Sequence, residues 1–137
     1  NLQTLNLGPS KIGDVGMRHL SNLKQLEILN LSGTQVGDAG LAQLRGLKKI
    51  SVLYLAHTRV TSTGMKTVGT LPELQWLDLK DTDVSDDGLI HLRDLKKLRL
   101  LGLVGCEVSD EGVRQLRKIK TLEEVTRSES VSKVFVE

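Results

Sequence analysis

A chain of 137 residues with a formal net charge of +2 is the size of one domain. It contains no run of about 18 apolar residues, which excludes a membrane-spanning helix. Aromatics make up only 2% of it, so its core has to be aliphatic. The single cysteine, Cys106, rules out an internal disulfide and favours a reducing, cytoplasmic setting. The sequence opens at Asn1 with neither a methionine nor a signal-peptide pattern, as a fragment or processed product would.

Leucine-like residues recur at Leu2, Leu26, Ile50, Leu74, Leu98 and Leu122, each step being 24 residues. A fixed period of this length means stacked coils, each burying its apolar edge against its neighbours. Five full repeats follow (2–25, 26–49, 50–73, 74–97 and 98–121), with a partial sixth, so residues 1–126 read as one repeat domain. The remaining 127–137 form a tail.

Within each coil, positions 1, 4 and 6 are apolar, as in Leu26, Leu29 and Leu31. The alternation at 4 and 6 predicts a short strand that sends these side chains to one face and positions 3, 5 and 7 to the other. Strands are expected near residues 4–6, 28–30, 52–54, 76–78 and 100–102. Position 9 holds Ser10, Thr34, Thr58, Thr82 and Cys106, small residues able to hydrogen-bond locally or along the stack. Positions 12 and 13, such as Gly37-Asp38 and Ser85-Asp86, have helix-start character, with Asp suited to the first turn. Position 15 is glycine in all five repeats, at Gly16, Gly40, Gly64, Gly88 and Gly112. That points either to backbone packed too closely for a side chain or to a backbone angle that only glycine takes easily. Positions 16, 19 and 22 are apolar at helical spacing, as in Leu41, Leu44 and Leu47. Each repeat is therefore strand, tight loop and short helix.

The pattern LxxLxLxxTxVxDxGLxxLxxLxx, as it runs from Leu74 to Lys97, resembles the 24-residue leucine-rich repeat, and it covers residues 2–121. Its T-x-V-x-D-x-G-L portion resembles repeats common in bacterial proteins, and Gly105 to Val113 is similar to the cysteine-containing repeats of F-box proteins. Position 9 lacks the asparagine of many such repeats, so an asparagine ladder should be absent. The resemblance implies an α/β solenoid, a right-handed arc with a concave parallel sheet and short convex helices. It further implies binding of a partner, usually a protein, with no intrinsic catalysis and no cofactor.

The sixth unit departs from the pattern, because Arg127 stands at position 6, where a core leucine belongs. The tail either folds back as a cap or trails unstructured, with Phe135 favouring the cap. At the other end Leu2, Leu5 and Leu7 would face outward, an opening for a further repeat or for self-association.

Chemistry-bearing residues give little. The acidic run Asp81 to Asp87 lacks the glycine and glutamate that a calcium loop needs at its sixth and twelfth positions. His19 and His91 are three coils apart, too far to share a metal, and no histidine shares a repeat with Cys106 to activate it as a nucleophile. Charge is segregated: positions 16 to 24 of the repeats carry thirteen Lys and Arg but only Glu73 and Asp94 as acids. The helix dipole accounts for that arrangement. A basic flank for an anionic surface or nucleic acid is the alternative, although no aromatics interleave with it for base stacking.

The concave positions are where the repeat becomes individual. Position 3 runs Thr4, Ile28, Val52, Trp76, Leu100, Glu124, and position 5 runs Asn6, Asn30, Tyr54, Asp78, Gly102, Thr126. The only Trp and the only Tyr fall on this surface in adjacent coils, and both types are enriched at binding hot spots. The expected partner site comprises Val52, Tyr54, His57, Trp76, Asp78, Lys80, Asp81, Arg99 and Leu100, and it would take a protein or peptide. Two alternatives stand beside this one: an anion-binding module using the basic flank, and a recognition fragment of a larger enzyme or ubiquitin ligase.

Overall fold

The architecture is that of a computed structural model, which describes residues 1–127. Six three-residue strands form one parallel sheet in chain order: β1 (Thr4–Asn6), β2 (Ile28–Asn30), β3 (Val52–Tyr54), β4 (Trp76–Asp78), β5 (Leu100–Gly102) and β6 (Glu124–Thr126). Pairing is in strict register: Leu5, Leu29, Leu53, Leu77, Leu101 and Val125 share one row. The five expected strands fall where the 24-residue period puts them, and β6 adds the partial unit. Between strands run short helices, α1 (Asp14–Met17), α2 (Asp38–Leu41), α3 (Met65–Val68), α4 (Asp86–Leu89) and α5 (Asp110–Gln115). Each carries an adjoining single turn of 3-10 helix, which precedes α3 and follows the others.

The leucines of positions 1, 4 and 6 form the core: Leu26, Leu29, Leu31, Ile50, Leu53, Leu55, Leu74, Leu77 and Leu79 are fully buried. Leu41, Leu44 and Leu47 close the core from the helical side, also without exposure. Each coil alone could bury only one edge of this ladder, so stability is shared between neighbours. At the first coil Leu2 is 44% exposed, whereas Leu5 and Leu7 are partly buried against the core.

Position 9 works mainly within its own coil. The hydroxyls of Thr34, Thr58 and Thr82 donate to the carbonyls of Leu31, Leu55 and Leu79 at 2.7–2.8 Å, satisfying a carbonyl at the turn that leaves the strand. Cys106 instead reaches along the stack, its Sγ lying 3.0 Å from the Leu79 carbonyl oxygen.

The aspartates of position 13 do more than favour a helix start. Asp14 Oδ1 accepts from the backbone N–H of Gly37 at 2.7 Å and of Gly40 at 2.9 Å, both in the following coil. Asp38 accepts the N–H and hydroxyl of Thr61, and Asp86 those of Ser109. In the third coil Ser62 takes the role, its Oγ accepting the Ser85 N–H at 3.0 Å. These carboxylates thus stitch the start of one helix to the start of the next, satisfying N–H groups that a helix terminus leaves open.

The glycine at position 15 follows from the same contact. A β-carbon at Gly40 would stand 2.5 Å from Asp14 Oδ1, and one at Gly64 or Gly112 would collide with Asp38 Oδ1 or Asp86 Oδ1. At Gly88 it would meet Ser62 Cα and Oγ at 3.0 Å, and at Gly16 the coil's own Ile12. None of these five glycines has a positive φ, so close packing and not backbone angle is the reason for them.

Arg127 bends away from the core position that its place in the repeat assigns to it. Its guanidinium donates to Asp110 Oδ1 at 2.7 Å and to the Val108 carbonyl at 3.0 Å, anchoring β6 to the loop of the preceding coil. The rest of the tail, 128–137, with the cap expected of Phe135, lies outside the described residues.

Candidate functional site

The face opposite the leucine ladder presents positions 3, 5 and 7 in parallel columns. Trp76 is 40% exposed and Tyr54 half-buried. Their rings lie 5.2 Å apart in an edge-to-face arrangement at 67°, a geometry set by the ring quadrupoles. They are diagonal neighbours, because register pairs Trp76 with Val52 and Tyr54 with Asp78. Val52 and Leu100 flank Trp76 on either side in the position 3 column, both half-buried.

The polar members have structural duties as well. Asp78 Oδ1 accepts the Lys80 N–H at 3.1 Å, the same turn that Asn6 and Asn30 make with Gly8 and Ser32. In β3 and β5 the corresponding residues are Tyr54 and Gly102, so that turn lacks its side-chain acceptor there.

His57 and Asp81 occupy position 8, where the backbone leaves the strand in the left-handed region with φ of 57° and 53°. Gly33 and Gly105 fill this position in two other coils with φ of 73° and 78°. A non-glycine residue there is held at a cost of about 1–2 kcal/mol. His57 Nδ1 lies 3.4 Å from Asp81 Oδ2, both side chains being exposed. Together Tyr54, His57, Trp76, Asp78, Lys80 and Asp81 mark the middle coils of the concave face and its corner.

Arg99 stands apart from them. At position 2 it precedes β5 and is held by Glu123 in a two-pronged pair at 2.9 and 3.0 Å. It lines a groove of about 660 Å³ with Gln75, Lys96, Lys97, Lys120 and Glu123 at the edge where the strands begin. Two of this groove's cations are already matched, since Lys97 pairs with Glu73 at 2.7 Å and Arg99 with Glu123. The pair pushes the Arg99 guanidinium up and the Glu123 carboxyl down from their ordinary values, in both cases first through the hydrogen bonds between them.

Sequence reasoning did not include a hollow of about 310 Å³ beside Trp76. Leu100, Gly102 and Val104 lie beneath it, and Asp78, Lys80, Glu124 and Thr126 surround it. Its signal was present in the columns: a glycine at position 5 directly follows the coil that carries Trp at position 3. Cys106 is half-buried, and burial pushes its thiol pKa up, away from a reactive thiolate. Among the described residues no group of three His, Cys, Asp or Glu is placed to hold a metal ion. No helix among them is long and apolar enough to cross a membrane.

Comparison with known proteins agrees with this geometry. The family model described as Leucine Rich repeat matches residues 1–21 and 22–44, the first two coils. No curated protein matches the chain. Among solved structures, the crystal structure of an internalin (inlF) from Listeria monocytogenes is similar with a TM-score of 0.55 and 19% identity. The similarity covers 92% of this chain, and the chain spans only 47% of that internalin. With six parallel strands in register and a buried leucine ladder, the chain has the leucine-rich-repeat fold, and its first two coils match that family's model; modules of this kind generally serve protein interaction and are typically non-catalytic.

Proposed function

We propose that residues 1–126 act as one recognition module that binds a protein or peptide through the concave sheet, with Trp76 and Tyr54 at the centre of the site. The observation that supports this most is Trp76 itself. A large apolar ring at a position facing away from the core, 40% exposed in the free chain, contributes little to the core that the leucines already fill. On a partner's surface the same ring would bury its remaining area and act as an anchor. Val52 and Leu100 extend the apolar patch, and Asp78, Lys80, His57 and Asp81 give it a polar rim, the usual anatomy of a recognition surface.

Selection of a random displayed peptide library on the intact chain tests this reading. Binders should be recovered, and Trp76→Ala should cost them about 2 kcal/mol or more while the variant stays folded by circular dichroism. Binders that ignore Trp76→Ala, lose affinity on charge reversal of Lys96 and Lys97, and weaken steeply with salt would move the function to the basic groove.

A further inference from the structure

The hollow beside Trp76 adjoins a missing side chain, toward whose place Asp78 leans, its Oδ1 2.8 Å from where a β-carbon of Gly102 would stand. Position 5 carries a side chain in every other coil, from Asn6 to Thr126, and Gly102 alone carries none. Register sets Trp76 and Glu124 on either side of Leu100, and Asp78 and Thr126 on either side of Gly102. The cavity therefore has an aliphatic floor, one aromatic wall, and a rim with two carboxylates, Asp78 and Glu124, against one ammonium, Lys80. Asp78 has its turn to hold. The half-buried Glu124 carboxylate has no hydrogen-bond or ion-pair partner among the described residues.

We propose that this hollow receives a cationic side chain, an arginine or lysine presented by the partner peptide. The inference rests on the reading of the concave face as a recognition surface. The aliphatic stem of such a side chain would lie on Leu100 and Val104. Its head would reach the gap between the Trp76 ring, whose π-face attracts a cation, and the Glu124 carboxylate, which would gain a charge-assisted hydrogen bond. The other side-chain classes fit worse. A purely apolar side chain would strip water from Glu124 without giving it a partner. An acidic one would face two carboxylates.

Trp76 is the only tryptophan, so its intrinsic fluorescence reports directly on occupancy. Peptides selected from the random library on the intact chain are synthesised with each Arg or Lys in turn replaced by a neutral isostere, citrulline or norleucine. The selected peptides should share a basic residue whose neutral replacement weakens binding about tenfold or more. That same residue should lose its advantage on the Glu124→Gln chain, which keeps the size of the side chain and the fold. Trp76-dependent binders without a basic residue, or binders indifferent to Glu124→Gln, would overturn the cationic pocket and leave the concave recognition surface standing. A library that yields no Trp76-dependent binder would overturn both.

Discussion

Asp38 Oδ1 occupies the space into which a side chain at Gly64 would grow. The aspartate belongs to one coil and the glycine to the next, so each is the reason for the other. The same carboxylate accepts the Thr61 N–H at 2.8 Å, and a residue larger than glycine at position 64 would displace it from that bond. Gly64→Val should therefore destabilise the fold by roughly 1–3 kcal/mol in urea unfolding. The cost of Gly64→Ala should shrink in an Asp38→Ala background, because the two positions are coupled. Additive single and double variants would show that the glycine is there for another reason.

His57 can be tested against the glycines of its own column. Gly33 and Gly105 hold the left-handed corner without steric penalty, whereas His57 holds it at φ 57°. His57→Gly should raise stability by up to about 1 kcal/mol, the relief of strain being partly offset by the freer unfolded chain. A lower urea midpoint would mean that the contact with Asp81 outweighs the backbone.

The Trp76–Tyr54 contact sets how much the exposed ring contributes to folding. An edge-to-face pair is worth about 0.5–1.5 kcal/mol beyond its burial, and the ring stands on the face opposite the fully buried leucines. Trp76→Ala should lower the thermal midpoint by only a few degrees. Cooperative unfolding lost altogether would make Trp76 a packing residue and remove the ground for a site there.

Arg127 and Asp110 give the fold a dependence on acid. The guanidinium, hydrogen-bonded to the carboxylate, holds Asp110 below the usual carboxylate range. An aspartate whose pKa is lowered by folding stabilises the native state fully above its unfolded value of about 3.9. That contribution is lost as pH falls through the lower folded value. A carbon-detected titration of Asp110 should show a midpoint below that of the unfolded chain, and Arg127→Ala should bring it back up. An unmoved midpoint would mean that the pair does not form in solution.

Cys106 should be slow to react. Desolvation raises its thiol pKa, so the thiolate fraction at pH 8 is smaller than in the unfolded chain. Disulfide exchange with a chromogenic reagent should run several-fold slower than in urea, and equal rates would place the thiol in solvent.

The leucines were fully legible in the sequence because their burial depends on a period that one coil already displays. Leu29 could be assigned to the core without knowing what stacks on it. Asp38 could not be read in the same way. A carboxylate at a helix start satisfies a local rule, and that rule hides its second role, which appears only when the next coil is set above it. The glycines showed that something was crowded at position 15, without showing that the crowding came from the preceding coil's aspartate. For the candidate site, columns brought Trp76 and Tyr54 together correctly, since neighbours across parallel strands in register are neighbours in the column. Arg99 adjoins Leu100 in sequence but does not share its column. The direction of a position 2 side chain, ahead of the strand and toward Glu123, places it in the other groove. The hollow at Gly102 needed three coils at once, β4, β5 and β6, and no single repeat contains it.

The strict register of the sheet has a metrical consequence for anything laid across it. Hydrogen-bonded strands advance about 4.8 Å each, so the concave columns form a ruler with that spacing and no stagger. Two divisions, the step from Trp76 to Glu124, measure about 9.6 Å. A polyproline II peptide returns to the same face every three residues, about 9.3 Å, whereas a β-strand repeats its face at about 6.7 Å. Side chains three apart on the first kind of ligand would stay in phase with alternate coils, and those of the second would drift. A ligand laid across the sheet would thus be graded by its backbone pitch before any side chain is read.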